Sequence, residues 1–106
     1  MKVVYTAEVV RELRAARQWY NRRARGVGDR LVDLVDEKVD EIAREPASFP
    51  RDRQDPIVRR ARVVKYPYTL LFMIIEEGSV VVLLALAHGK RKPGYWKKWL
   101  RLGLDK

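Results

Sequence analysis

Apolar and polar positions change rhythm along this chain, and the changes mark its elements. KVVYT (residues 2–6) reads as a short strand, with Thr6 a fitting N-cap for a helix beginning at Ala7. From Ala7 to about Arg25, Val9, Leu13, Ala16 and Tyr20 recur at helical spacing, while Arg11, Arg14, Arg17 and Arg22 lie off that stripe. Gly26-Val27-Gly28 interrupts the pattern. A second amphipathic helix is predicted from about Asp29 to Arg44, with Leu31, Leu34, Val35, Lys38, Val39 and Ile42 near one face and mostly acidic residues on the other. Two helices joined by so short a link form an antiparallel hairpin.

Pro46, Pro50 and Pro56 then punctuate a stretch with neither period. Three strand-like runs come next: IVRRARVVKY (57–66), YTLLFMIIE (68–76) and VVVLLALAH (80–88). Tyr66-Pro67-Tyr68 and EEGS (76–79) supply the turns between them. The second and third runs are apolar on both alternating faces, so both are expected to be central and covered on each side. The first alternates Arg60 and Arg62 with Ala61 and Val63, which makes one edge basic. WKKWLRLG (96–103) has the pattern of a short last helix ended by Gly103. The expected fold is α+β: one domain over residues 1–106, a helical hairpin against one face of an antiparallel sheet, with the N-terminal strand a candidate member. The hairpin covers one sheet face only, and the other needs the C-terminal helix, a partner chain, or both.

Composition narrows the chemistry. The chain has 106 residues, 47% hydrophobic and 35% charged, as expected of one globular domain. Having no cysteine, it has no disulfide, thiolate zinc site or cysteine nucleophile, and a single histidine leaves no basis for a transition-metal cluster. No cofactor or small-molecule substrate is expected. The N-terminus lacks a signal-peptide core and no apolar run reaches membrane-spanning length, so a cytoplasmic location without membrane attachment is expected.

The net charge of +9 is uneven. Residues 1–50 carry ten Lys/Arg against nine Asp/Glu, and residues 51–106 carry thirteen against five. That bias suits a polyanionic partner, nucleic acid or an acidic protein segment; the alternative is a merely solvated basic surface. Arg59, Arg60, Arg62 and Lys65, with Lys90, Arg91 and Lys92 beyond the last strand, are candidates to converge on one concave side. Such a cluster clamps a phosphodiester and offsets charge developing on it. Arginine clamps well but transfers protons poorly, which leaves His88 as the natural proton-transfer group. Tyr95, Trp96 and Trp99 have the chemistry to stack on bases, although an i, i+3 tryptophan pair suits packing on the sheet better. His88 at a strand end also has a structural reading, as a ring satisfied by a backbone group.

The segments VRRARVVKYPYTLLFMI (58–74) and VVVLLALAHGKRKPGYW (80–96), with the order of elements, resemble the RelE/ParE superfamily of bacterial type II toxin–antitoxin toxins. The arginine-rich strand leading into a Pro-Tyr turn, and the apolar strand ending in His-Gly-Lys-Arg, are similar to the ParE-like branch. The resemblance implies a small growth-inhibiting toxin, of a kind linked to plasmid stabilisation and neutralised by a cognate antitoxin. In that superfamily, ParE-like members inhibit DNA gyrase and RelE-like members cut messenger RNA on the ribosome. The RelE-like nucleases use an arginine in the strand after the basic one, an arginine in the Gly-Lys-Arg segment, and a tyrosine near the C-terminus. Here Thr69 stands at about the first of these positions, Arg91 matches the second, and Tyr95 or Trp96 falls near the third. The ParE-like, non-enzymatic reading is therefore favoured. The alternatives are an endoribonuclease using Arg62, Lys65, His88 and Arg91, and a non-toxic nucleic-acid-binding module; Arg59, Arg60, Lys90, Arg91, Lys92, Tyr95 and Trp96 are the candidate contacts to the target or to nucleic acid.

Overall fold

The structure, a computed structural model, describes residues 1–75 and 79–104. Strand β1 (Lys2–Tyr5) leads into helices α1 (Ala7–Arg23) and α2 (Val27–Arg44), then one 3-10 turn at Pro46–Ser48. Strands β2 (Val58–Arg62), β3 (Tyr68–Ile75) and β4 (Val80–His88) come after it, and helix α3 (Lys97–Leu104) ends the described chain. The sheet order is β1-β4-β3-β2. Among the described residues no helix is long and apolar enough to cross a membrane.

The helical hairpin forms where the periodicity places it. Thr6 caps α1, its hydroxyl accepting from the Val9 N–H at 3.2 Å. The α2 N-terminus has no side-chain cap of its own. Asn21 of α1 supplies one across the hairpin, its Oδ1 accepting from Gly28 N–H at 2.7 Å and its Nδ2 donating to Asp29 at 3.1 Å. Gly28 sits inside α2 rather than in the link, because the helices meet there. A Cβ at this position would lie 2.1 Å from the Arg17 carbonyl oxygen.

The sheet is mixed, not wholly antiparallel: β1 runs parallel to β4, with Lys2 opposite Val80 and Tyr5 opposite Leu83. Parallel neighbours need a crossover connection, and the helical hairpin is part of it. Opposite the β3 pair Leu71/Phe72, β4 carries a bulge: Leu71 pairs with Ala85 and Phe72 with Leu83. The extra residue, Leu84, shifts the phase, so Leu83 and Leu86 both face the helical hairpin. Leu84 and Ala85 pack in a second cluster with Val58, Leu71, Trp96 and Leu100.

That second cluster answers how the other sheet face is covered. Trp96 and Leu100 are buried against it, so α3 fills much of the area for which a partner had been a candidate. The last helix runs through Gly103 to Leu104 rather than stopping at the glycine. Strand β2 ends at Arg62, four residues short of the sequence expectation, because Val63 to Pro67 form the turn into β3. The proline-rich stretch is a strap along the β2 edge: Arg51 bridges to Arg59, and Pro50 O accepts from the Arg60 N–H at 2.9 Å. It shields an otherwise open edge. The turn expected at EEGS lies outside the described residues except for Ser79.

Candidate functional site

His88 ends β4, and the chain reverses at once. His88 O accepts from the Arg91 N–H at 3.0 Å, and the Gly89 N–H donates to Pro67 O at 2.8 Å. A second turn closes from Tyr95 N–H to Lys92 O at 3.1 Å. Gly94, at φ 80°, takes the left-handed conformation that aims Trp96 at the core. These turns and the strap enclose a cleft of about 280 Å³ against the outer face of β2 and β3. Arg60, Thr69, His88, Arg91, Lys92, Tyr95 and Trp96 line it, with Asp52 at its strap side.

On β2, alternation sends Arg60 and Arg62 to this face. Arg62 lies opposite Thr69 and lines an adjoining recess of about 440 Å³ with Arg51, Arg53 and Arg60. Arg60 belongs to both recesses, so the basic surface is continuous from Arg53 and Arg62 to Arg91 and Lys92. Buried Asp52 anchors it: one oxygen lies 3.7 Å from Arg60 Nη1, and the other accepts from the Gln54 N–H at 2.8 Å.

Three candidate residues lie elsewhere. Arg59 faces the opposite side of the sheet and donates to Phe49 O at 2.8 Å, pinning the strap, because adjacent strand residues point oppositely. Lys65 is at the tip of the β2–β3 turn in a left-handed conformation (φ 71°), away from both recesses. Lys90 is exposed on the turn beyond β4, and its backbone N–H donates to His88 Nδ1 at 3.0 Å. Trp96 walls the cleft from within the core and is only 3% exposed, which leaves little of its ring for stacking on a base.

His88 is held as much as displayed. Its Nδ1 accepts the Lys90 N–H, and its ring stands edge-to-face on Tyr68 with centroids 5.2 Å apart. Tyr95 donates its hydroxyl to Glu12 Oε2. Burial pushes the Tyr95 hydroxyl pKa well above the usual tyrosine value, and the Glu12 carboxylate adds to the shift, so Tyr95 stays a neutral donor. The Arg91 guanidinium lies over the Tyr95 ring, 3.9 Å from its centroid.

Glu12 is a site residue that the sequence pattern alone did not bring forward. Beyond Leu83, β4 has outrun its β1 neighbour, and Glu12 Oε1 accepts the Leu86 N–H at 2.8 Å. Burial raises its carboxyl pKa, opposed in part by the hydrogen bonds from Tyr95 and Leu86 and by the Arg91 charge. The signal was present: Glu12 is three residues after Val9 and four before Ala16, on the border of the buried stripe. A second opening of about 380 Å³ lies between α1 and the strand ends, lined by Glu12, Trp19, Tyr20, Tyr68, His88 and Arg91 among others.

Comparison with known proteins gives this arrangement a context. Residues 3–93 match the family model described as the ParE toxin of the type II toxin–antitoxin system parDE. The fold is similar to a chain in the chromosomal ParDE toxin–antitoxin system of P. aeruginosa, with a TM-score of 0.73 and 18% identity over 83% of this chain and 95% of that one. A chain in the RelBE2 toxin–antitoxin complex of Mycobacterium tuberculosis is 26% identical, with a TM-score of 0.61 over 82% and 95% of the two chains. The isolated E. coli RelE toxin superposes with a TM-score of 0.63 at 16% identity, over 95% and 97%. No curated protein matches the sequence.

Proposed function

Because the chain belongs to the ParE toxin family of type II toxin–antitoxin systems, we propose that it arrests growth by binding DNA gyrase and is neutralised by a cognate antitoxin. One observation carries the choice of a binding over a cleaving toxin. The cleft concentrates cations, while two of the groups suited to proton transfer are engaged, Tyr95 by Glu12 and Asp52 by Arg60 and Gln54, and Thr69 stands at about the position where the RelE-like nucleases carry an arginine. Efficient phosphodiester cleavage needs a positioned acid or base beside the clamp. A clamp of this kind, with His88 as the one proton-transfer group left in its lining among the described residues, favours an acidic protein or nucleic-acid surface. His88→Ala, which a binding toxin tolerates and a nuclease does not, tests that choice. Arg60, Arg62, Arg91 and Lys92 are the contact residues of this reading. The antitoxin engages the same side through an acidic segment, a placement that rests on the charge of the cleft, while the RelBE2 toxin–antitoxin complex that holds a similar chain supports an antitoxin partner as such.

Induction of the gene alone tests the target. Gyrase poisoning gives DNA damage and SOS induction before translation falls, and the purified protein inhibits supercoiling. Translation stopping first, with cuts mapped inside codons, would establish the RelE-like endoribonuclease reading instead. No growth defect would remove both. Co-expression of a small protein from the adjacent gene restores growth if that protein is the antitoxin.

A further inference from the structure

The near-neutral balance of the first fifty residues conceals two oppositely charged helices. Helix α1 carries five arginines against two glutamates, whereas α2 carries six carboxylates against three cations. On α1, Arg11, Arg14, Gln18 and Arg22 succeed one another at spacings of three, four and four, which keeps them within one arc of the helix surface. From Arg11 to Arg22 this stripe is about 17 Å long at ~1.5 Å per residue. All four side chains are exposed, and among the described residues no carboxylate lies within 4 Å of Arg11, Arg14 or Arg22. Arg17 and Arg23 differ: Arg17 pairs with Asp29 at 2.7 Å, and Arg23 lies over the Trp19 ring and donates to the Trp19 carbonyl. Between the free arginines runs a shallow groove of about 490 Å³ lined by Arg14, Arg17, Gln18, Asn21 and Arg22.

We propose that this face of α1 is a second polyanion-binding surface, distinct from the cleft at the β4 end, and that it takes the phosphate backbone of duplex DNA. The groove lining selects the occupant. Protein interfaces draw their stability from aromatic and aliphatic anchors in desolvated pockets, and this groove has no apolar side chain in its lining. A phosphate backbone needs none: cations that release its counterions suffice, and arginine engages phosphate bidentately. Gln18 adds a hydrogen-bonding group between the charges, whereas Asn21 is held by Gly28 and Asp29. The acidic face of α2 in a second copy has the right sign, but its exposed aromatic neighbour, Tyr5, would find no apolar side chain in the groove to pack against. The proposal stands independently of the gyrase reading, because it uses no residue of the cleft.

The test is binding of a 20-base-pair DNA duplex of mixed sequence, titrated by fluorescence anisotropy from 50 to 200 mM salt. Three free arginines predict that the stripe contributes about −3 to the slope of log K against log salt, at ~0.9 per phosphate neutralised. The paired change Arg14→Gln/Arg22→Gln is expected to reduce the slope by about two and weaken binding at every sequence tested. The melting temperature should stay the same, since both side chains are exposed. Arg11→Gln/Arg22→Gln gives the same result by a second route. Four outcomes overturn the proposal: no binding at 50 mM salt; loss of binding only when Arg60 and Lys92 are changed; equal displacement of the duplex by a polyglutamate peptide; or a loss of self-association in the arginine variants with DNA affinity unchanged. The last two would assign the stripe to an acidic protein segment and to α2 of a second copy, respectively.

Discussion

Glu12 joins three parts of the molecule that are distant in sequence: α1, the end of β4 that extends past its β1 neighbour, and the segment carrying Arg91 and Tyr95. Truncation to alanine leaves the Leu86 N–H and the Tyr95 hydroxyl without their acceptor, a loss of about 1–3 kcal/mol by urea denaturation. Glu12→Gln keeps an acceptor and isolates the charge. Because burial raises the folded carboxyl pKa, the native state holds this proton at pH values where the unfolded chain has released it. Stability from this group is therefore greater at low pH and declines as pH rises from the ordinary glutamate range through the raised folded value. In Glu12→Gln that component vanishes, so the difference between the two stability–pH curves should appear in this window and be flat at neutral pH. Asp29 has the opposite sign. Its hydrogen bonds from Arg17 and Asn21 lower its pKa, so it stabilises the fold above the ordinary aspartate range and loses that contribution as pH falls through the lowered value.

Among the elements, the hairpin is the most sensitive to a single atom. Gly28→Ala forces a Cβ into the Arg17 backbone carbonyl, and neither group is a flexible side-chain end. The helices must separate, with a loss of about 1–3 kcal/mol or more, measured as a lower urea midpoint. Asn21→Ala removes the borrowed α2 cap and costs about 1 kcal/mol. Much of this scale was legible in the sequence. Val9, Ala16, Leu31, Val35, Val39 and Ile42 are buried where the helical period puts them, and β3 and β4 are central, as two-sided apolar runs require. The strand direction of β1 was not legible, since direction depends on a crossover rather than on local pattern. Nor was the bulge at Leu84, because every residue from Val80 to Ala87 is apolar and hides a phase shift. In the site, period two correctly put Arg60 and Arg62 on one face. Arg59 falls on the other face because adjacent strand residues alternate, which a cluster of charge in the sequence does not show, and Lys65 falls in the turn because β2 ends at Arg62.

At the scale of the whole molecule, the same short segment serves function and stability through different side chains. Arg91 and Trp96 are five residues apart, yet one is exposed over the Tyr95 ring and the other is buried on the second sheet face. Their variants should therefore separate. Arg91→Ala loses an exposed cation–π contact worth roughly 0.5–1 kcal/mol, so its melting curve should nearly overlay that of the wild type. If the cleft binds the target, its toxicity is nonetheless lost. Trp96→Ala removes the indole that seals Leu71, Leu84 and Ala85, a loss of about 3–5 kcal/mol. Against the ~5–15 kcal/mol total typical of a domain, that is a large share. With α3 poorly anchored, the face it covers becomes accessible, and the variant should bind a hydrophobic dye such as ANS that the wild type does not. A Trp96→Ala protein with unchanged melting and no dye binding would mean that α3 adds nothing to the cover of that face. An Arg91→Ala protein that remains fully toxic at wild-type expression would mean that the turn after β4 is only a solvated strand end.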